Sequence, residues 1–209
     1  MRRISGLYAV TPDEPDTAAL AALVDRALRG GASVVQYRNK VATPALRVEQ
    51  ARVLARLCRD HDTCFIVNDH VELASEVGAD GVHVGRDDDA VARARSLLGK
   101  HALIGVSCYD EIERAIRACD AGADYVAFGS FFASATKPGA VRARPELIHR
   151  SHAAVPLPVV AIGGITLANA PSLIKAGADA LAVVSALFGA ADVSAAASAF
   201  AALFPVRHS

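Results

Sequence analysis

Short runs of apolar, largely β-branched residues alternate with longer amphipathic stretches along the whole chain. The runs predict strands at Gly6–Val10, Ser33–Arg38, Cys64–Val67, Gly81–Val84, Leu103–Val106, Tyr125–Phe128, Val159–Ile162 and Ala180–Val184. Each is apolar at nearly every position, the pattern of a strand covered on both faces. The stretches Thr17–Arg29, Pro44–His61 and Glu111–Ala121 carry apolar residues at helical spacing, and Pro44 and Pro145 suit first helical turns. A degenerate repeat marks the joints: Gly31-Ala32-Ser33, Gly78-Ala79-Asp80, Gly122-Ala123-Asp124 and Gly177-Ala178-Asp179 each separate a helix from the following strand. Glycine there can adopt the left-handed conformation that ends a helix. Eight strands in strict alternation with helices predict parallel pairing and a (β/α)8 TIM barrel, one catalytic domain over residues 1–209. The competing arrangement, an open doubly wound sheet, needs a topological switch point and usually fewer strands.

Composition narrows the function classes. Lys plus Arg and Asp plus Glu are equal at 22 each, so no net field favours nucleic acid or an anionic membrane. Cys58, Cys64, Cys108 and Cys119 have no C-x-x-C spacing and lie in or beside apolar segments, as buried reduced thiols do. His149 and His152 read as a turn of surface helix. The start, Met1-Arg2-Arg3-Ile4-Ser5-Gly6, lacks the apolar core of a signal peptide and runs into the first strand. The apolar stretch from Ala180 to Phe204 is interrupted by Gly189 and Asp192 and divides into a strand, a turn and an Ala-rich helix rather than a membrane span. The expected location is cytoplasmic.

In a barrel the functional groups gather just after the strands. The second strand ends in Gln36-Tyr37-Arg38-Asn39-Lys40, where alternation gives Gln36, Arg38 and Lys40 one facing and Tyr37 the other. An amide and two cations converging on a barrel mouth suit a polyanion; a lone Arg or Lys there would read as a solvated loop cation. Asn68-Asp69 follows the third strand, and Gly85-Arg86-Asp87-Asp88-Asp89 the fourth. Carboxylates on adjacent strand ends suit Mg²⁺, and equally suit helix capping, since Asp69 and Asp88 both precede helices. His83 is predicted to face inward. Ser107 follows the fifth strand, and the loop from Gly129 through Ser134, Ala135, Thr136 and Lys137 to Gly139 is long and polar enough to cover the mouth. Gly163-Gly164 after the seventh strand and Val184-Ser185 after the eighth suit a phosphate monoester held by backbone amides. The layout predicts two anion sites at one mouth, one cationic and suited to a diphosphate, one mostly neutral.

In this order the motifs Val-Gln-Tyr-Arg-Asn-Lys (35–40), Asn-Asp (68–69), Gly-Val-His-Val-Gly (81–85), Gly-Val-Ser (105–107), Ser-Ala-Thr-Lys (134–137), Ile-Gly-Gly-Ile (162–165) and Val-Ser-Ala (184–186) resemble the thiamine-phosphate synthase (thiamine-phosphate pyrophosphorylase) family over nearly the whole chain. The resemblance implies a transferase of thiamine biosynthesis. It would join an aminopyrimidine-methyl diphosphate to a thiazole (or carboxythiazole) phosphate by dissociative loss of diphosphate. It also implies that Gln36, Tyr37, Arg38, Asn39, Lys40, Asn68, Ser107 and Lys137 bind the pyrimidine diphosphate, with Arg38, Lys40, Ser107 and Lys137 catalytic. Asp69 and Asp88 would hold Mg²⁺, and Ser134, Ala135, Thr136, Gly164, Val184 and Ser185 would bind the thiazole phosphate. The partners expected are these small molecules, with neither nucleic acid nor membrane; a homo-oligomer is left open.

The chain departs from the family at Arg86, commonly Gln, at Asn39, frequently acidic, and at Ser134, frequently Thr. Arg86 adds a cation near the expected metal, whereas Ser134 keeps the hydroxyl. A thiazole tautomerase on the same barrel would not need Lys40, Asp69, Asp88 and Lys137. A phosphate-binding isomerase would need an acid/base pair that does not stand out. A ligand sensor would need an output element for which the chain has no obvious room.

Overall fold

A computed structural model describes residues 4–85, 90–133 and 143–204. In chain order the elements are β1 (Gly6–Val10), α1 (Thr17–Arg29), β2 (Val34–Tyr37), α2 (Pro44–Asp60), β3 (Cys64–Asn68), α3 (Val71–Val77), β4 (Gly81–Val84), α4 (Ala90–Leu98), β5 (Leu103–Tyr109), α5 (Ile112–Asp120), β6 (Tyr125–Phe128), α6 (Glu146–Ala154), β7 (Val159–Ile162), α7 (Ala170–Lys175), β8 (Ala180–Val183), α8 (Ser185–Phe188) and α9 (Val193–Ala201). All eight strands pair in parallel with their sequence neighbours, and β1 pairs with β8 to close the barrel. The expected fold is the observed one. The strand boundaries differ from expectation by a residue or so except at β5, which runs three residues further, through a register shift against β6 between Ser107 and Tyr109.

Alternation along the strands creates two cores. Leu7, Ala9, Val35, Tyr37, Phe65 and Val67 face out and pack beneath the helices. Tyr8, Val10, Val34, Cys64, Ile66, Leu103, Tyr125, Val160 and Ala182 face in and fill the barrel. The helices begin where local chemistry says they should. Asp16 accepts from the Ala19 N–H and Thr43 from the Leu46 N–H, with Pro44 in the first turn of α2. Among the described residues no helix is long and apolar enough to cross a membrane, and the stretch after Ala180 divides as expected into β8, α8 and α9. Cys58, Cys64 and Cys108 are buried thiols.

The repeat has a second use that sequence reading did not reach. Its glycines all have positive φ, at 96° (Gly31), 64° (Gly78), 90° (Gly122) and 105° (Gly177). Its last residue ties the start of one strand to its neighbour: the Asp80, Asp124 and Asp179 carboxylates accept the N–H groups of Phe65, Ile104 and Val159 at 2.8, 2.8 and 2.9 Å. Ser33 plays a related part with its hydroxyl on the carbonyls of Ser5 and Leu7. The parallel ladder leaves these first donors unpaired at the barrel floor, and a buried N–H needs an acceptor. Asp124 also pairs with Arg95 at 2.6 Å. Removing its carboxylate by Asp124→Ala is expected to cost about 1–3 kcal/mol of stability in urea denaturation. Asp124→Asn, which keeps an acceptor oxygen, should recover most of that; an Ala variant as stable as the parent would show that the floor bonds are dispensable.

Candidate active site

The segment after β2 is locked from both sides, which gives its two cations defined positions. The buried Thr11 side chain donates to the Arg38 carbonyl and accepts from the Arg38 N–H, both at 2.8 Å. Asp13 accepts the Lys40 N–H at 2.8 Å and pairs with the Arg38 guanidinium at 3.3 Å. Asn39 is buried, its Nδ2 donating to the Glu14 carbonyl and to Gln50, its Oδ1 accepting from the Val41 and Ala42 N–H groups. Tyr37 points to the helices, as predicted, and donates to Gln50; burial raises its phenol pKa to about 12. The side chains of Tyr37 and Asn39 are thus committed to holding the loop, while Arg38 and Lys40 are the groups it presents.

Tyr37, Arg38, Asn39, Lys40, Arg47, Asn68, Asp69 and His70 line a single cavity of about 190 Å³. The tips of β2 and β3 therefore converge as the sequence predicted, and the cavity sets three cations against one carboxylate. Arg47, from the first turns of α2, was not expected. Its guanidinium donates to the Ala42 carbonyl at 2.9 Å, while its buried Nε has no hydrogen-bond partner. An unpaired buried guanidinium donor costs stability. Its sequence signal, a basic residue soon after Pro44, is indistinguishable from the solvent face of a helix. His70 has its pKa lowered, by burial and then by the Arg47 charge.

Asp69 stands in the left-handed region at φ 63°, a conformation Asp tolerates better than most residues. Its N–H donates to the His83 carbonyl and its Oδ2 accepts from Asn68 Nδ2 at 2.7 Å. It does not cap α3: the residue at the cap position is His70, with no side-chain cap bond. That disposes of the capping role for Asp69 and leaves its carboxylate for the cavity. A side chain at Gly85 would begin 3.9 Å from Asp69 Oδ1, so the Asp69 carboxylate lies beside the end of β4. Arg86 and Asp88 themselves lie outside the described residues. Among the described residues no group of three or more His, Cys, Asp or Glu could enclose a metal. Mg²⁺ needs none, taking one or two carboxylates with waters and phosphate oxygens, so a donor set containing Asp69 fits it.

Gln36 and Ser107 are joined through the barrel interior. Gln36 Nε2 donates to the Tyr8 hydroxyl at 2.7 Å; the Tyr8 and Tyr125 hydroxyls lie 2.9 Å apart; Tyr125 lies 3.2 Å from His83 Nδ1; and His83 Nε2 lies 2.8 Å from Ser107 Oγ. His83 faces inward, as expected. Burial lowers its pKa to about 4, opposed by the charge of Asp69, and burial raises those of both tyrosines. All three are neutral near pH 7.

At the ends of β6, β7 and β8 the chain is closely packed. The Phe132 N–H donates to the Gly163 carbonyl, and Phe131 is buried in the core, so this part of the β6 loop is no free linker. A Cβ at Gly164 would lie 2.4 Å from the Ala133 carbonyl oxygen. This glycine, expected to grant a phosphate access to backbone amides, is required here by loop-on-loop contact. The Val184 carbonyl accepts from Leu187 and Phe188, and Ser185 opens α8 with its side chain exposed. Ser134, Ala135, Thr136 and Lys137 lie outside the described residues.

A family model described as thiamine monophosphate synthase matches residues 7–187. The thiamine-phosphate synthase of Azoarcus sp. (strain BH72) is 57% identical over 202 residues, covering 97% of this chain and 98% of that protein. That of Nitrosospira multiformis is 54% identical over 203 residues, covering 97% and 87%. The solved structure of a thiamine phosphate pyrophosphorylase from Pyrococcus furiosus superposes with a TM-score of 0.85 at 35% identity, covering 97% of this chain and 96% of that one.

Two outcomes follow from this geometry. Arg47→Met should weaken binding of inorganic diphosphate about tenfold by calorimetry, the worth of one charge-assisted hydrogen bond; unchanged affinity would exclude Arg47 from the anion site. For His83, the unfolded chain takes up a proton below pH 6.5 that the folded chain refuses until about pH 4. Stability should therefore be lost as the pH is lowered from about 6.5 to about 4, by up to about 1.4 kcal/mol per pH unit. His83→Asn should flatten the urea midpoint over the same range, and an equal slope in both proteins would contradict a neutral His83.

Proposed function

The chain belongs to the thiamine-phosphate synthase family, a family of transferases, and from that membership we propose which substrates it joins and which residues do the joining. The whole chain serves as one catalytic barrel, coupling 4-amino-2-methyl-5-(diphosphooxymethyl)pyrimidine to a thiazole ethyl phosphate, with or without a ring carboxylate, to give thiamine phosphate and diphosphate. The observation that carries this reading is the cavity where Arg38, Lys40 and Arg47 meet Asn68 and Asp69.

In this reading Arg38, Lys40, Asn68 and Lys137 hold the diphosphate, and Gln36 and Ser107 meet the pyrimidine. Tyr37 and Asn39 keep the β2 loop in place, with backbone groups available to the ligand. The bond between the methylene carbon and the diphosphate oxygen breaks first, and both electrons leave with the diphosphate. The electron-rich aminopyrimidine carries the resulting cation, and the thiazole nitrogen closes on it. No protein nucleophile is required. The cations of Arg38, Lys40 and Lys137 offset charge that grows on the leaving group, which lowers the barrier because they are fixed before the reaction starts. Mg²⁺, held by Asp69 and Asp88, would add Lewis-acid stabilisation to the same oxygens. Ser134, Ala135, Thr136, Gly164, Val184 and Ser185 hold the thiazole phosphate, fixing its nitrogen for attack.

The test is incubation with both substrates, with and without Mg²⁺, and assay for thiamine phosphate. Product should form only with metal. Asp69→Ala should lower turnover at least about 100-fold, with the melting temperature little changed; parent-like turnover in that variant would remove Asp69 from the metal site.

A further inference from the structure

Tyr8, Tyr125 and His83 sit inside the barrel, and the reaction above assigns them nothing. They are almost wholly buried, at 1%, 0% and 7% exposure. They connect two residues of the proposed pyrimidine site, Gln36 on β2 and Ser107 on β5, through four consecutive hydrogen bonds. The fold gives up a side chain to seat the middle of this row: a Cβ at Gly105 would lie 2.0 Å from Tyr125 Cζ and 2.4 Å from its hydroxyl.

Each tyrosine hydroxyl has a single proton to donate within the row. Direction is therefore shared by all the links. Gln36 Nε2 donates to Tyr8; Tyr8 must then donate to Tyr125, Tyr125 to His83 Nδ1, and His83, protonated on Nε2, to Ser107 Oγ. This commits the Gln36 amide nitrogen inward and leaves its carbonyl oxygen for a ligand, while the Ser107 proton is left free. The opposite direction demands that the Gln36 amide turn over and that His83 exchange tautomers, all together.

We propose that Tyr8, Tyr125 and His83 are positioning residues whose hydrogen-bond direction makes Gln36 present an acceptor, so that the site selects an amino over an oxo substituent on the pyrimidine. The proposal rests on the function given above. An exocyclic amine donates to the Gln36 oxygen; an oxo group would set one acceptor against another, and an unpaired buried acceptor is a strong source of discrimination.

Two variants separate this from a purely structural role. In Tyr125→Phe, Tyr8 loses its acceptor in the row, and turning the Gln36 amide brings its carbonyl within reach of the Tyr8 hydroxyl, so the amide should turn and present its NH2 group. In Tyr8→Phe the amide is cut loose without a new bias. The readout is kcat/KM for the 4-amino pyrimidine diphosphate and for its 4-oxo analogue. The parent protein should prefer the amino substrate at least about 100-fold. Tyr8→Phe should lower that ratio about tenfold, and Tyr125→Phe should lower it further, with gain on the oxo analogue. A ratio unchanged in both variants, with kcat/KM falling equally on both substrates, overturns the proposal alone. A parent protein that couples neither pyrimidine overturns it together with the function it rests on. The ¹⁵N shifts of His83 in the parent protein give an independent reading: a proton on Nε2 is expected, and one on Nδ1 overturns the assigned direction.

Discussion

Every feature of this protein depends on one constraint, the two-residue alternation of side chains along parallel strands covered on both faces. It sends Leu7, Phe65 and Val67 to the helices and Tyr8, Val34 and Ile66 to the barrel interior. Once the barrel is closed, an inward polar residue has no solvent to turn to except at the mouth. It must either reach the opening, as Arg38 does, or find partners inside, as His83 and Gln36 do. The same constraint acts at the floor, where the repeated Asp residues supply acceptors to N–H groups that the ladder leaves over.

Much of this was legible in the sequence because it is local or periodic. The strand runs, the glycine-marked joints and Pro44 at the head of α2 are short-range signals, and they place β1, β4, β6 and β7 where they occur. The grouping of Arg38, Lys40, Asn68 and Asp69 was legible for a related reason: a barrel brings all its strand tips to one end. What escaped reading depends on which residues meet across the fold. Arg47 looks like any exposed helical cation until α2 is laid beside the β2 loop. Asp13 and Thr11, which fix that loop, lie 25 or more residues away from the groups they hold. The join between Tyr8 and Tyr125 spans 117 residues and has no sequence signature. Gly164 was read as making room for a phosphate; what the structure places against it is the neighbouring loop, at Phe132 and Ala133.

The site divides its labour between residues that hold and residues that face the ligand. Asn39, Tyr37 and Gln50 commit their side-chain polar groups to one another, to the Glu14 carbonyl and to the Val41 and Ala42 N–H groups. That rigidity suits the proposed reaction, in which the protein supplies no nucleophile. If catalysis is the stabilisation of a departing diphosphate and the prepositioning of a thiazole, fixed charges and a fixed amide are what the protein has to offer. Membership of the thiamine-phosphate synthase family and the arrangement of the cavity support the same account from independent directions.

The most direct test of that account is to see where its ligands go. Crystals soaked with Mn²⁺ and inorganic diphosphate, with data collected for anomalous scattering, should show one metal peak against the Asp69 carboxylate, with diphosphate density bridging it to Arg38, Lys40 and Arg47. Diphosphate bound elsewhere on the barrel, with the cavity between β2 and β3 holding only water, would contradict it.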